Sequence, residues 1–186
     1  MVPLTSLWLP ILLSAVFVFV VSSVIHMVLK YHSNDLRKLP AQDEVQEALR
    51  KFNLAPGEYM LPRAENMKEM STPAFTEKLT KGPVVLMTVL PSRPISMGPS
   101  LANWFVYSLV ISVFAAYVAG RALEPGADYL AAFRFAGVTA FAGYSIGLWQ
   151  DSIWHGRPVG TTIKSTFDGL VYALVTGGTF GWLWPN

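Results

Sequence analysis

Leu7-Trp-Leu-Pro-Ile-Leu-Leu-Ser-Ala-Val-Phe-Val-Phe-Val-Val-Ser-Ser-Val-Ile-His-Met-Val-Leu29 contains no Asp, Glu, Lys or Arg. Coiled at 1.5 Å per residue, it is long enough to cross the ~30 Å hydrocarbon core of a bilayer. A signal peptide is the competing reading. Against it, no basic residue precedes the run, the run exceeds the roughly 7–15 residues of a signal core, and no small-x-small cleavage pattern follows. The expectation is an uncleaved membrane helix.

Three further apolar runs, near 101–120, 129–149 and 167–184, each approach the ~20 residues a crossing requires. Turn chemistry separates them, Pro125-Gly126 in one connection and Gly156-Arg157-Pro158 in the next. Composition agrees: 52% of the 186 residues are hydrophobic and 14% charged, with a mean hydropathy of +0.39, where soluble domains carry about 25% charge. The expected fold is an all-α membrane protein of four transmembrane helices, with a small cytoplasmic α+β insertion between the first two. The domains are then 1–30, a first transmembrane helix; 31–100, the insertion; and 101–186, a three-helix transmembrane region.

Ten of the 14 Lys and Arg residues fall between Lys30 and Arg93, so the positive-inside rule puts the insertion in the cytoplasm and both termini outside. Within the insertion, Val45, Leu49 and Phe52 recur at helical spacing behind an acidic first turn. Residues 59–61 and 84–90 read as strands, and Phe75 with Leu79 suggests another short helix. So few large apolar side chains make a thin core, so the insertion is expected to lean on the membrane helices or on a partner.

Gly143-x-x-x-Gly147 and Gly177-x-x-x-Gly181 are expected to let helix backbones approach closely, chiefly within this bundle. The densest polar group of the membrane half is Asp151, His155, Arg157, Lys164 and Asp168, and the topology brings it to the same face as His26 and Lys30. Asp151 and His155 are one helical turn apart, the spacing of an acid–base pair, while Arg157 and Lys164 suit a lipid phosphate. An Asp at the start of the fourth helix is also favoured by the helix dipole alone. His26, with His32 and Asp35 just beyond, invites a metal or haem reading. The chain has only three histidines, all near one membrane face, so a hydrogen-bonded interfacial His is preferred and no metal or cofactor is expected.

No cysteine is present, and no GxSxG, Walker, HExxH or GxGxxG pattern occurs, so no catalytic residue is assigned. The net charge of +2 forms no basic stripe for nucleic acid. Neither an internal repeat nor a pair of inverted broken helices speaks for a transporter.

Asp151-Ser-Ile-Trp-His-Gly-Arg-Pro158, Phe167-Asp-Gly-Leu-Val-Tyr-Ala-Leu174 and Phe180-Gly-Trp-Leu-Trp-Pro185, with Val28-Leu-Lys-Tyr-His-Ser-Asn-Asp35 and Leu39-Pro40, resemble a family of small uncharacterised bacterial integral membrane proteins. The resemblance implies a bacterial inner membrane and carries no activity. The functional expectation is a non-enzymatic accessory, scaffold or assembly subunit of a larger membrane complex, partnered by another membrane protein or by its own copies. The alternative is a small transporter or lipid-handling protein using the polar group at the cytoplasmic face. An enzyme with Asp151 and His155 as acid and base comes third.

Overall fold

The structure, a computed structural model, describes residues 1–186. In chain order the elements are α1 (Trp8–Val24), α2 (Gln42–Arg50), β1 (Gly57–Leu61), α3 (Met67–Met70), α4 (Pro73–Lys81), β2 (Val85–Val89), α5 (Met97–Ala122), α6 (Tyr129–Ser145), α7 (Trp149–Trp154) and α8 (Val159–Trp182). A 3-10 turn at Leu4–Leu7 leads into α1, a π turn at Ile25–Leu29 continues it, and a 3-10 turn at Ile146–Leu148 joins α6 to α7. Two compact units result: Met1–Leu36 with Ser96–Asn186, and Arg37–Ile95.

The first unit is helical. Two of its helices are long and apolar enough to cross a membrane: the continuous run Leu4–Leu29 and α5, each of 26 residues. α6 has 17 residues, about 26 Å of helix against a ~30 Å hydrocarbon core. α8 has 24 residues but begins at Val159 rather than near residue 167, and its first half carries Thr161, Thr162, Lys164, Ser165, Thr166 and Asp168. That earlier start corrects the expectation for Asp168: it lies in the body of the helix, so the dipole at a helix N-terminus does not account for it.

The interior is built from small and hydroxylated residues. Ala15, Ala115, Ala116, Ala119, Ala132, Ala136, Ala140 and Ala173 are buried, as are Ser14, Ser22, Ser108, Ser112, Thr162, Thr176 and Thr179. Most of these hydroxyls are satisfied within their own helices: Ser112 donates to the Ser108 carbonyl at 3.0 Å and Thr176 to that of Tyr172 at 2.9 Å. Thr162 instead pairs with the Ser152 hydroxyl at 2.7 Å, and Ser14 Oγ has no partner. Phe17, Val20, Phe114, Val138, Leu170, Leu174 and Trp182 face outward.

α6 and α8 approach closely through glycine. A Cβ on Gly177 would lie 2.8 Å from the Phe133 carbonyl oxygen and 3.2 Å from the Gly137 Cα, and one on Gly181 would meet the Tyr129 ring at 2.7 Å. Gly143 lies under the Ile111 side chain, whereas Gly147 has open space around its Cα. Three of the four packing glycines thus serve contacts inside this unit; the expectation for Gly147 is corrected, because the chain has left α6 for the 3-10 turn there.

Three chain segments meet at one end of the unit. The Val2 amide donates to the Gly120 carbonyl at 2.8 Å, the Gly126 amide to that of Pro185 at 2.8 Å, and the Trp184 indole to that of Glu124 at 3.1 Å. Asp128 caps α6 by accepting from the Ala131 amide at 3.1 Å.

In the second unit β1 and β2 pair antiparallel, from Gly57 opposite Val89 to Leu61 opposite Val85. Thr72 caps α4 by accepting from the Phe75 amide at 3.2 Å, and Pro73 occupies the first turn. Phe75 is its one large buried side chain, while Phe52, Leu61, Met67, Val84, Leu86 and Leu90 are exposed.

A polar cluster where the first helix ends against the last

The first helical run ends at Lys30, whose left-handed backbone (φ 52°, ψ 10°) no α-helix continues. The chain then turns tightly, with the Ser33 amide donating to the Lys30 carbonyl and the Asp35 amide to that of His32, each at 3.0 Å. This turn lays His32 and Asp35 over the polar first half of α8.

His32 lies between two carboxylates. Its Nδ1 is 2.6 Å from Asp35 Oδ2 and its Nε2 is 2.7 Å from Asp168 Oδ2. The other Asp35 oxygen accepts from Lys164 Nζ at 2.8 Å, and the same ammonium donates to the Tyr31 carbonyl at 2.7 Å. Hydrogen bonds from Lys164 and then from His32 hold the Asp35 carboxyl below its ordinary range. Asp168 is the deepest member, 4% exposed, and its Oδ1 has no hydrogen-bond partner.

His26 stacks on His32, ring centroids 4.8 Å apart and planes 5° from parallel. Its Nδ1 lies 3.0 Å from the Ser22 carbonyl. A carbonyl only accepts, so Nδ1 carries the proton and donates. Behind the cluster, Trp104 donates to Ser22 Oγ at 2.8 Å and packs on Tyr107, Tyr144 and Tyr172. Trp104 thus has its hydrogen-bond partner inside the bundle. Gly169, directly after Asp168, is required here: a Cβ would press on Tyr144 and Ser145, so only glycine seats α8 this close to α6.

The structure divides the seven residues singled out in the sequence. His26, Lys164 and Asp168 come together, joined by His32 and Asp35. Asp151, His155 and Arg157 form a second group at the α7–α8 turn. There His155 Nδ1 is 3.1 Å from Asp151 Oδ1, Arg157 is 3.9 Å from Asp151 Oδ2, and Arg157 also donates to Ser165 Oγ at 3.2 Å. The Asp151 carbonyl accepts from both the His155 and Arg157 amides, with Gly156 at φ +67°, so this group closes a helix end. The side chains of His155 and Asp151 are 64% and 49% exposed, and such pairs contribute little to stability. Lys30 is exposed and belongs to neither group.

Beside the cluster an apolar groove of about 320 Å³ runs between α1 and α8, lined by Val20, Val24, Leu29, Phe167, Val171 and the Tyr31 ring. Tyr31 in turn packs on His32 at 4.4 Å between ring centroids. Compared with known proteins, the chain matches no family profile, no curated sequence and no solved structure.

Proposed function

We propose that the protein is a four-helix protein of a bacterial inner membrane, with residues 31–100 in the cytoplasm, that serves as a non-enzymatic accessory or assembly subunit. The exposed apolar side chains of the Arg37–Ile95 unit carry this reading: one large side chain is buried and a series of others is left at the surface. A module of this size with so thin a core gains stability by burying those side chains on a partner. The small-and-polar interior and large apolar exterior, which extend through α6 and α8, support four crossings rather than two. Because the glycine contacts of α6 and α8 are used within the chain, the partner surface is assigned to the cytoplasmic unit.

Native protein extracted in mild detergent and analysed by mass spectrometry should come with a defined membrane complex in fixed ratio. A chain that stays monomeric and crosslinks to nothing specific in its own membranes would refute the assembly reading.

The apolar groove next to the charged cluster favours a second reading, lipid handling. In that reading an acyl chain lies along Val20, Val24 and Val171 and the headgroup meets Lys164. Recovery of the chain alone with one retained phospholipid would move the assignment there.

A further inference from the structure

We propose that His26, His32 and Asp168 form a binding site for a divalent transition-metal ion such as zinc, with Asp35 and Lys164 supporting His32 from behind. This departs from the expectation of a metal-free protein and is independent of the assembly reading, since a subunit with or without partners can hold the ion.

The argument starts from the protons. His26 Nδ1 donates to the Ser22 carbonyl, so in the neutral ring Nε2 is a free lone pair. His32 Nδ1 faces Asp35 at 2.6 Å; a neutral ring donating there leaves Nε2 as a second lone pair, aimed at a carboxylate oxygen 2.7 Å away. Two acceptors at that distance repel unless something positive lies between them. A proton on Nε2 meets that need for one pair of atoms. It leaves Asp168 Oδ1, buried and unpartnered, and His26 Nε2 without a role. A metal ion takes all three: two imidazoles and a carboxylate are a donor set used by zinc and other borderline divalent ions.

Geometry and surroundings agree. One ligand atom from each of the three residues lies within 4.8 Å of the others. A tetrahedral zinc ion with bonds of ~2.1 Å spaces its ligands about 3.4 Å apart, so binding draws the more distant ligand atoms inward by roughly an ångström, parts His32 Nε2 and Asp168 Oδ2 from their 2.7 Å, and tilts the two parallel rings toward a common point. His26 is exposed and lies in a π turn, a feature that recurs at functional sites. Asp35 hydrogen-bonded to the far nitrogen of His32 is the carboxylate–histidine support that orients ligating imidazoles, and Lys164 fixes that carboxylate. Three protein ligands leave a position open to solvent or a small ligand, unlike the closed four-ligand structural sites.

The test uses the full chain in mild detergent, purified without a polyhistidine tag and stripped with a chelator. Zinc chloride alone should bind saturably at about one equivalent per chain, and cobalt(II) should show the intense visible bands of a low-coordinate ion. Asp35→Asn should weaken zinc about 10–100-fold. His26→Ala, an exposed position whose loss leaves the fold intact by circular dichroism, should weaken it at least as much, and so should Asp168→Asn. His155→Ala should leave affinity unchanged. Zinc binding no tighter in the parent chain than in His26→Ala, or lost equally in His155→Ala, would overturn the site.

Discussion

Replacing His32 by Leu is expected to destabilise the chelator-treated protein by about 3–5 kcal/mol, the range found when a buried charge is left without its partner. The reason lies in Asp168. Its side chain is 5% exposed and His32 Nε2, at 2.7 Å, is its one hydrogen-bond partner. Without that partner the carboxylate is left as an uncompensated charge in a poorly solvated site.

The double variant His32→Leu/Asp168→Leu is expected to recover much of the loss. It removes the orphaned charge, and it leaves Asp35 paired with Lys164 at 2.8 Å. A coupling of about 2–3 kcal/mol between the two sites should emerge from denaturant unfolding of the four proteins in mixed micelles. Strict additivity would mean that His32 and Asp168 do not depend on each other, and that the buried contact contributes nothing. The same pair of variants at His155 and Asp151 should shift stability by well under 1 kcal/mol, because both side chains lie largely in solvent.

That contrast shows where sequence reading reached the site and where it stopped. Two of the helices were legible because an uncharged apolar run of bilayer length forms a helix long and apolar enough to cross a membrane. The short elements of the insertion followed from period and turn residues: α2 behind its acidic turn, α4 at Phe75 and Leu79, β1 and β2 at their Pro and Gly boundaries. The start of the last helix was less legible, because α8 begins within a stretch rich in Thr, Ser and Lys that reads as loop by hydropathy alone. That His26, Lys164 and Asp168 come together agrees with the expectation that these segments share one end of the helices. Which residues touch was not legible, since Asp151 and His155 carry the more conspicuous helical spacing and yet only close a turn. His32 and Asp35 were visible as a His-x-x-Asp pair after Lys30, but nothing in the sequence says that a left-handed residue there folds the turn back over α8.

The second large effect is expected at Gly177, in the contact that holds α8 against α6. Gly177→Ala adds one methyl group in a helix, where the change from Gly normally gains about 0.8–1 kcal/mol from backbone propensity. Here the methyl would stand 2.8 Å from the Phe133 carbonyl oxygen, 3.1 Å from the Phe133 ring and 3.2 Å from the Gly137 Cα. Backbone atoms do not rotate away as a side chain does, so the helices must part, and overpacking of this kind costs about 1–3 kcal/mol, occasionally more. The clash therefore outweighs the propensity gain. Gly177→Leu should lie at or beyond the top of that range. Gly147→Ala provides the contrast: with open space around it, the substitution should leave the unfolding transition within about 0.5 kcal/mol of the parent, as surface changes usually do. Because Asp168 and Gly169 lie on the same helix, parting α6 from α8 also withdraws Asp168 from His32. Gly177→Leu should then lose the His32–Asp168 coupling as well as stability. A Gly177→Ala protein as stable as the parent would show that α6 and α8 do not pack backbone to backbone, and would remove the support that holds the buried carboxylate in place.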